Sequence, residues 1–127
     1  MEPRLALDMQ VVLWLFAGAI NQLSIKGKKL IANSNLCISP LVQMELQLLY
    51  EIGRTPYTAI EIVNSLANEI GLRIIDIQFK DATAHFSNLA WARDPFDRII
   101  AATSAATGIP LLTKDKNILT NFDFAVC

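Results

Sequence analysis

At 127 residues the chain suffices for one compact domain, residues 1–127, and is too short for two ordinary ones. With 53% hydrophobic and 18% charged residues and five each of Gly and Pro, it is an apolar-rich globular sequence, which excludes the disordered and collagen-like classes. The net charge of -1 excludes a broad basic surface for non-specific nucleic-acid binding, but not a nucleic-acid substrate held through metal ions.

So high an apolar fraction in so small a domain points to an oligomeric face. Cys37 and Cys127 have no metal-ligand spacing between them and read as reduced thiols of a cytoplasmic protein. The stretch LALDMQVVLWLFAGAI ends in small residues, as a signal peptide does, but Asp8 interrupts it and Glu2 precedes it. It is read as fold, and no stretch reaches the ~18 unbroken apolar residues that a membrane span needs.

In chain order, residues 4–8 are a buried strand that ends in Asp8 and turns into a helix carrying Val11, Val12, Leu13, Leu15 and Phe16. Ser24 caps a helix in SIKGKKLIANSN with Leu30 and Ile31 on its apolar face. LCIS, residues 36–39, is a second buried strand, and Pro40 starts a helix that Gly53 stops. Pro56 opens another, with Ile60, Val63, Leu66, Ala67 and Ile70 at three- and four-residue steps and Gly71 as its cap. LRIIDI (72–77) is a strand and FKDATAHFSNLAWA (79–92) a helix. The last third holds a helix over 94–107 stopped by Gly108, the strand IPLLT, a polar turn KDKN and a short final strand FDFAV. There is no internal repeat, low-complexity segment or linker.

Strands and helices alternate, and the strands are apolar without polar alternation, which marks a sheet covered on both faces. The fold class expected is α/β, a three-layer α/β/α sandwich with a central, mostly parallel sheet. Ligands of such sheets bind beyond the carboxyl ends of the strands. Asp8 ends the first strand, Asp115 lies just beyond PLLT, Glu45 is about a turn and a half into the helix after the second strand, and Asp97 is in the first turn of the helix before the fourth.

Each has an ordinary explanation as well. Asp94-Pro95-Phe96-Asp97 is a helix start with Asp94 as N-cap, Pro95 at N1 and Asp97 at N3, where negative charge suits the helix dipole. Asp115 fits a turn in TKDKN, and Glu45 a solvated helix position, although Met44, Leu46, Leu48 and Leu49 surround it. Asp8, between apolar segments, must be paired, protonated or bound to a cation. Carboxylates converging on one edge repel, and a divalent cation relieves this. With oxygen donors alone the fitting metals are Mg²⁺ or Mn²⁺, not Zn²⁺.

RDPFDRIIAATSAATGIPLLTKD, with an Asp ending the first strand and the Glu of ISPLVQMELQLL, resembles the PIN domain, most closely the VapC-type toxins of prokaryotic toxin–antitoxin pairs. The resemblance covers nearly the whole chain in size and order of elements. It implies a Mg²⁺- or Mn²⁺-dependent endoribonuclease acting on RNA, a homodimer, silenced by a cognate antitoxin. Asp8, Glu45, Asp97 and Asp115 match the family's metal-ligating catalytic acids. Asp94 matches an accessory acidic position or a helix cap, and Thr113 a small hydroxyl position near the metal. The family pattern after the first Asp is a small hydroxyl residue and often a His; here Met9 and Gln10 stand instead.

On this reading the cations bind the scissile phosphate and activate water. Arg98 and Lys114, with Arg93 and Lys116, are candidates for RNA phosphates or are solvated charge, and His85 has a structural or surface role rather than a catalytic one. Trp14, Phe16 and the helices around Leu48 and Ile60 line an antitoxin groove or dimer face, or belong to the core. Two other readings compete: a non-catalytic PIN-like module binding RNA or protein, supported by the Met9-Gln10 departure, and a phospho-acceptor receiver-like domain.

Overall fold

The computed structural model describes residues 3–127; Met1 and Glu2, the latter part of the argument against a leader, lie outside the described residues. Among the described residues, five strands form one sheet in the order β3-β2-β1-β4-β5, every pair parallel. The strands are β1 (Arg4–Leu7), β2 (Asn35–Ile38), β3 (Arg73–Ile74), β4 (Leu111–Leu112) and β5 (Ala125–Val126). Between them lie α1 (Met9–Ala17), α2 (Ile25–Ala32), α3 (Pro40–Glu51), α4 (Ala59–Ile70), α5 (Phe79–Thr83), α6 (Pro95–Thr107) and α7 (Lys116–Asn121). Successive side chains of a strand point to opposite faces, yet Leu5, Ala6 and Leu7 are all buried, as are Leu36, Cys37 and Ile38. Helices therefore cover both faces, giving the three-layer α/β/α sandwich expected, with a sheet that is wholly rather than mostly parallel.

Leu5, Leu7 and Ile38 meet Val11 and Val12 of α1, Leu46 of α3, Ile62 and Leu66 of α4 and Ile100 of α6 in one core. β1 lies at the centre of the sheet. A receiver-like domain would place its strands in the order 2-1-3-4-5; the order here sets that reading aside. The chain leaves β1 toward β2 on one side, whereas β4 continues to β5 on the other. The crevice at the carboxyl ends of β1 and β4 is thus a topological switch point.

Four local expectations shift. The helix expected from Pro56 begins at Ala59, because Thr58 and Glu61 form a capping box in which Thr58 Oγ1 accepts from Glu61 N–H (3.2 Å) and Glu61 Oε1 accepts from Thr58 N–H (3.1 Å). The helix expected over 79–92 breaks into α5 and a 3₁₀ turn at Phe86–Leu89. Arg98 donates to the Phe86 carbonyl from Nε (3.1 Å) and Nη2 (2.8 Å), so a tertiary contact takes an acceptor that a continuous helix would use. The polar turn expected at KDKN is the start of α7, capped by Asp115, whose Oδ1 accepts from Ile118 N–H (3.0 Å). The long strands expected at 72–77 and 122–126 shorten to Arg73–Ile74 and Ala125–Val126, each paired on one side only at a sheet edge.

Candidate active site

Asp8 follows directly on β1, which stops one residue short of the expected strand, and caps α1. Its Oδ1 accepts from Met9 N–H (2.8 Å), and its backbone N–H donates to Leu112 O (3.0 Å), continuing the β1–β4 ladder by one residue. That register sets Asp8 beside Thr113, whose Oγ–H donates to Asp8 Oδ2 at 2.7 Å. The same hydroxyl accepts from Asp115 N–H (3.0 Å). One buried side chain thus ties the carboxylate after β1 to the segment that carries the carboxylate after β4.

Asp97 sits at N3 of α6. The capping is done by Asp94, whose Oδ1 accepts from Phe96 N–H (2.8 Å) and Asp97 N–H (3.2 Å). The Asp97 carboxylate makes no hydrogen bond among the described residues and is half-buried. Glu45 rides on α3, held at its start by Ser39 Oγ accepting from Leu41 N–H (3.2 Å). Thr103 donates to Ile99 O (2.8 Å), so the Ser39 hydroxyl donates to Thr103 Oγ1 (3.0 Å). This buried hydroxyl pair locks the start of α3 to α6, the two helices that carry Glu45 and Asp97.

Asp8, Glu45, Asp97 and Asp115 line one cleft of about 430 Å³, with Met9, Gln10, Trp14 and Lys114. A larger cleft of about 590 Å³ runs from the starts of β1 and β2 along β3, lined by Arg4, Cys37 and Arg73 among others, but Asp76 is its only carboxylate. Chemistry rather than size selects the acidic cleft. Burial above all, then the charges of Asp8, Asp97 and Asp94, pushes Glu45 up to about 7. Burial, followed by Asp8, Asp94 and Asp115, pushes Asp97 up to about 6. Asp8 is raised by burial, against the lowering pull of its bonds from Thr113 and Met9.

The fit to a hard divalent cation rests on donor chemistry and on Glu45. All four candidate donors are carboxylates, and Glu45 Oε1 is buried with no hydrogen-bond partner among the described residues. As the side chains stand, no three His, Cys, Asp or Glu among the described residues are close enough to enclose an ion. Like charges in one cleft oppose closer approach.

The sequence-derived set divides. The four principal acids and Lys114 share the cleft, and Thr113 stands directly behind Asp8. Arg98 is committed elsewhere, bonded to the Phe86 carbonyl with its guanidinium 3.8 Å from the Phe86 ring centre. Arg93 and Lys116 are exposed and outside the cleft lining. Ser39 and Thr103 escaped the sequence reading as positioning residues; their only signal is a hydroxyl inside an apolar run. Trp14 lines the acidic cleft itself, rather than only an apolar groove or the core.

Comparison with known proteins bears on this arrangement. The curated proteins contain no match to the sequence. Among solved structures, a chain of VapBC2 from Rickettsia felis, in a complex bound to a DNA fragment from their promoter, matches with a TM-score of 0.71 at 16% identity, over 97% of this chain and 96% of that one. A chain of VapBC-1 from nontypeable Haemophilus influenzae matches with a TM-score of 0.61 at 15% identity, over 93% and 91%. At such identities the likeness is one of fold. The PIN-domain family model matches residues 5–124, from within β1 to just short of β5, and includes the four acids and the switch point. The chain belongs to the PIN-domain family.

Proposed function

We propose that this protein is a Mg²⁺- or Mn²⁺-dependent endoribonuclease, the toxin of a VapBC-type pair, acting in the cytoplasm. The observation that carries the reading is the cleft at the β1–β4 switch point, where carboxylates from four distant segments meet, burial and then neighbouring charge raise Glu45 and Asp97, and one buried oxygen of Glu45 has no partner among the described residues. Asp8, Glu45, Asp97 and Asp115 would hold a divalent cation, which when bound would supply Lewis-acid polarisation of the scissile phosphate and lower the pKa of a water.

The chain's own residues prepare that site. Thr113 holds Asp8 in one orientation and fixes the Asp115 backbone. Glu45 and Asp97, raised by burial and then by neighbouring carboxylates, must lose their protons to ligate, so cation binding would be coupled to proton release. Lys114, exposed at the cleft, offers its ammonium to a backbone phosphate, since Arg98 is engaged by Phe86. RNA rather than DNA rests on the family likeness.

A cognate antitoxin is supported by the match to chains from VapBC complexes. A homodimer is supported by Met44, Leu48, Ile52 and Ile60, which are exposed on α3 and α4 and at the end of α3. No helix among the described residues is long and apolar enough to cross a membrane.

The test is cleavage of an RNA pool with and without Mg²⁺ or Mn²⁺, by wild type and Asp97→Asn. Metal-dependent cutting that Asp97→Asn abolishes is expected; equal cutting by both, or no metal-dependent cutting of any RNA, sinks the reading. Met9 and Gln10, standing at the cleft where the family pattern has a small hydroxyl residue and often a His, favour one alternative, a non-catalytic PIN-like module that binds RNA or a partner protein. Mn²⁺ titration separates the two: weak binding unchanged in both Asp8→Asn and Asp97→Asn supports the module.

A further inference from the structure

Trp14 lies on α1, six residues after the carboxylate that caps the helix, and lines the acidic cleft beside Met9 and Gln10. It is half-buried, packed in part against the core and in part open. Several rings of the fold have partners. Trp91 faces Phe122 (6.1 Å between centroids), Phe16 meets Tyr57 edge-on (4.9 Å), and Phe86 lies under Arg98. Trp14, like Tyr50, Phe79 and Phe96, has no ring partner among the described residues, and its indole N–H makes no hydrogen bond among them.

An aromatic surface of this kind, beside carboxylates suited to the ion of a scissile phosphate, has the chemistry of a stacking platform. Every nucleobase has a π-face, so such stacking adds affinity with little sequence demand. A base inside a duplex has both faces covered by its neighbours; only an unpaired base can offer one. Gln10, exposed at the same cleft, carries an acceptor and two donors that suit a base edge. Lys114, exposed just after β4, lines the same cleft and can offer its ammonium to a backbone phosphate.

We infer that Trp14 is the stacking platform for an unpaired nucleobase next to the scissile phosphate, so that the cleft grips single-stranded RNA by a base face as well as by its backbone. This rests on the nuclease reading, and its test is built to fail separately from that reading.

The protein has two tryptophans, so the full chain carrying Trp91→Phe reports on Trp14 alone. Its fluorescence is titrated, with Mg²⁺ present and read on mixing, with a mixed-sequence single-stranded RNA octamer and with an abasic octamer of equal charge. Quenching by the first and not by the second is expected. In cleavage assays Trp14→Leu raises KM on the order of tenfold with a smaller change in kcat, and Trp14→Phe restores most of it. Equal quenching by both octamers, quenching by neither, or an unchanged KM in Trp14→Leu overturns the inference. Should the wild type cut no RNA, the nuclease reading falls, and the octamer comparison still decides the role of Trp14. The same comparison decides if Trp14→Leu fails to fold, since it uses the native indole.

Discussion

Thr113 Oγ1 donates a 2.7 Å hydrogen bond to Asp8 Oδ2, joining residues that are 105 positions apart in the chain and adjacent across the β1–β4 edge. Because the same oxygen accepts from Asp115 N–H, the hydroxyl acts as a hinge pin for two of the four acids. Asp8 is 8% exposed and Thr113 fully buried, so neither group has bulk water to replace the other.

Thr113→Val keeps the shape and removes both bonds. Expected is a loss of roughly 1 to 3 kcal/mol of stability from the unsatisfied groups, and about a 10- to 100-fold fall in metal affinity or activity from the loosened carboxylate. Thr113→Ser retains most of both. Thermal midpoints together with Mn²⁺ affinity check this, and a valine variant with wild-type affinity would show that Asp8 needs no orientation.

Stability without metal should fall as pH rises. Glu45 goes from an ordinary value of 4.5 to about 7 on folding, and Asp97 from 3.8 to about 6. Between the unfolded and folded values the folded chain binds more protons, so this stabilisation is full below pH 4 and is lost as pH climbs through about 6 and 7. In EDTA the thermal midpoint is expected to be lower at pH 8 than at pH 5, with Glu45→Gln flattening the slope. Adding Mn²⁺ at pH 8 should recover the midpoint. A midpoint that climbs from pH 5 to pH 8 in EDTA would contradict the buried, carboxylate-rich surroundings of both acids.

Asp94 and Asp97 should separate cleanly. Asp94→Asn preserves an N-cap acceptor and is expected to leave both stability and cleavage near wild type, whereas Asp94→Ala costs about 1 kcal/mol of stability. Asp97→Asn is expected to abolish metal-dependent cleavage and, by removing one charge from the cluster, to raise the metal-free midpoint at pH 8. Strong loss of cleavage in Asp94→Asn would move Asp94 from cap to accessory acid.

Arg98→Lys should lower stability rather than substrate binding. Lysine cannot place two donors on the Phe86 carbonyl in one plane or stack as a guanidinium does, so the join between α6 and the 3₁₀ turn loosens. A lowered thermal midpoint with unchanged KM for RNA is expected. A raised KM at an unchanged midpoint would return Arg98 to the phosphate-binding set.

Local pattern was enough for the parts of this protein that depend on neighbours in the chain. Unbroken apolar runs marked both central strands, Asp94-Pro95 marked a helix start, and Gly71 and Gly108, with φ of 71° in each case, marked helix stops. Alternation of strands and helices then put Asp8, Glu45, Asp97 and Asp115 at the carboxyl edge. Only the tertiary structure decided the rest. The order 3-2-1-4-5 brings β4 beside β1, and so Thr113 onto Asp8. The Ser39–Thr103 bond sets Glu45's helix against that of Asp97, and burial there leaves Glu45 Oε1 without a partner. Arg98 reaches back to Phe86 and interrupts a helix that periodicity alone would continue. These contacts join residues distant in sequence, and their free energy depends on strand order and shared burial, which no local period encodes.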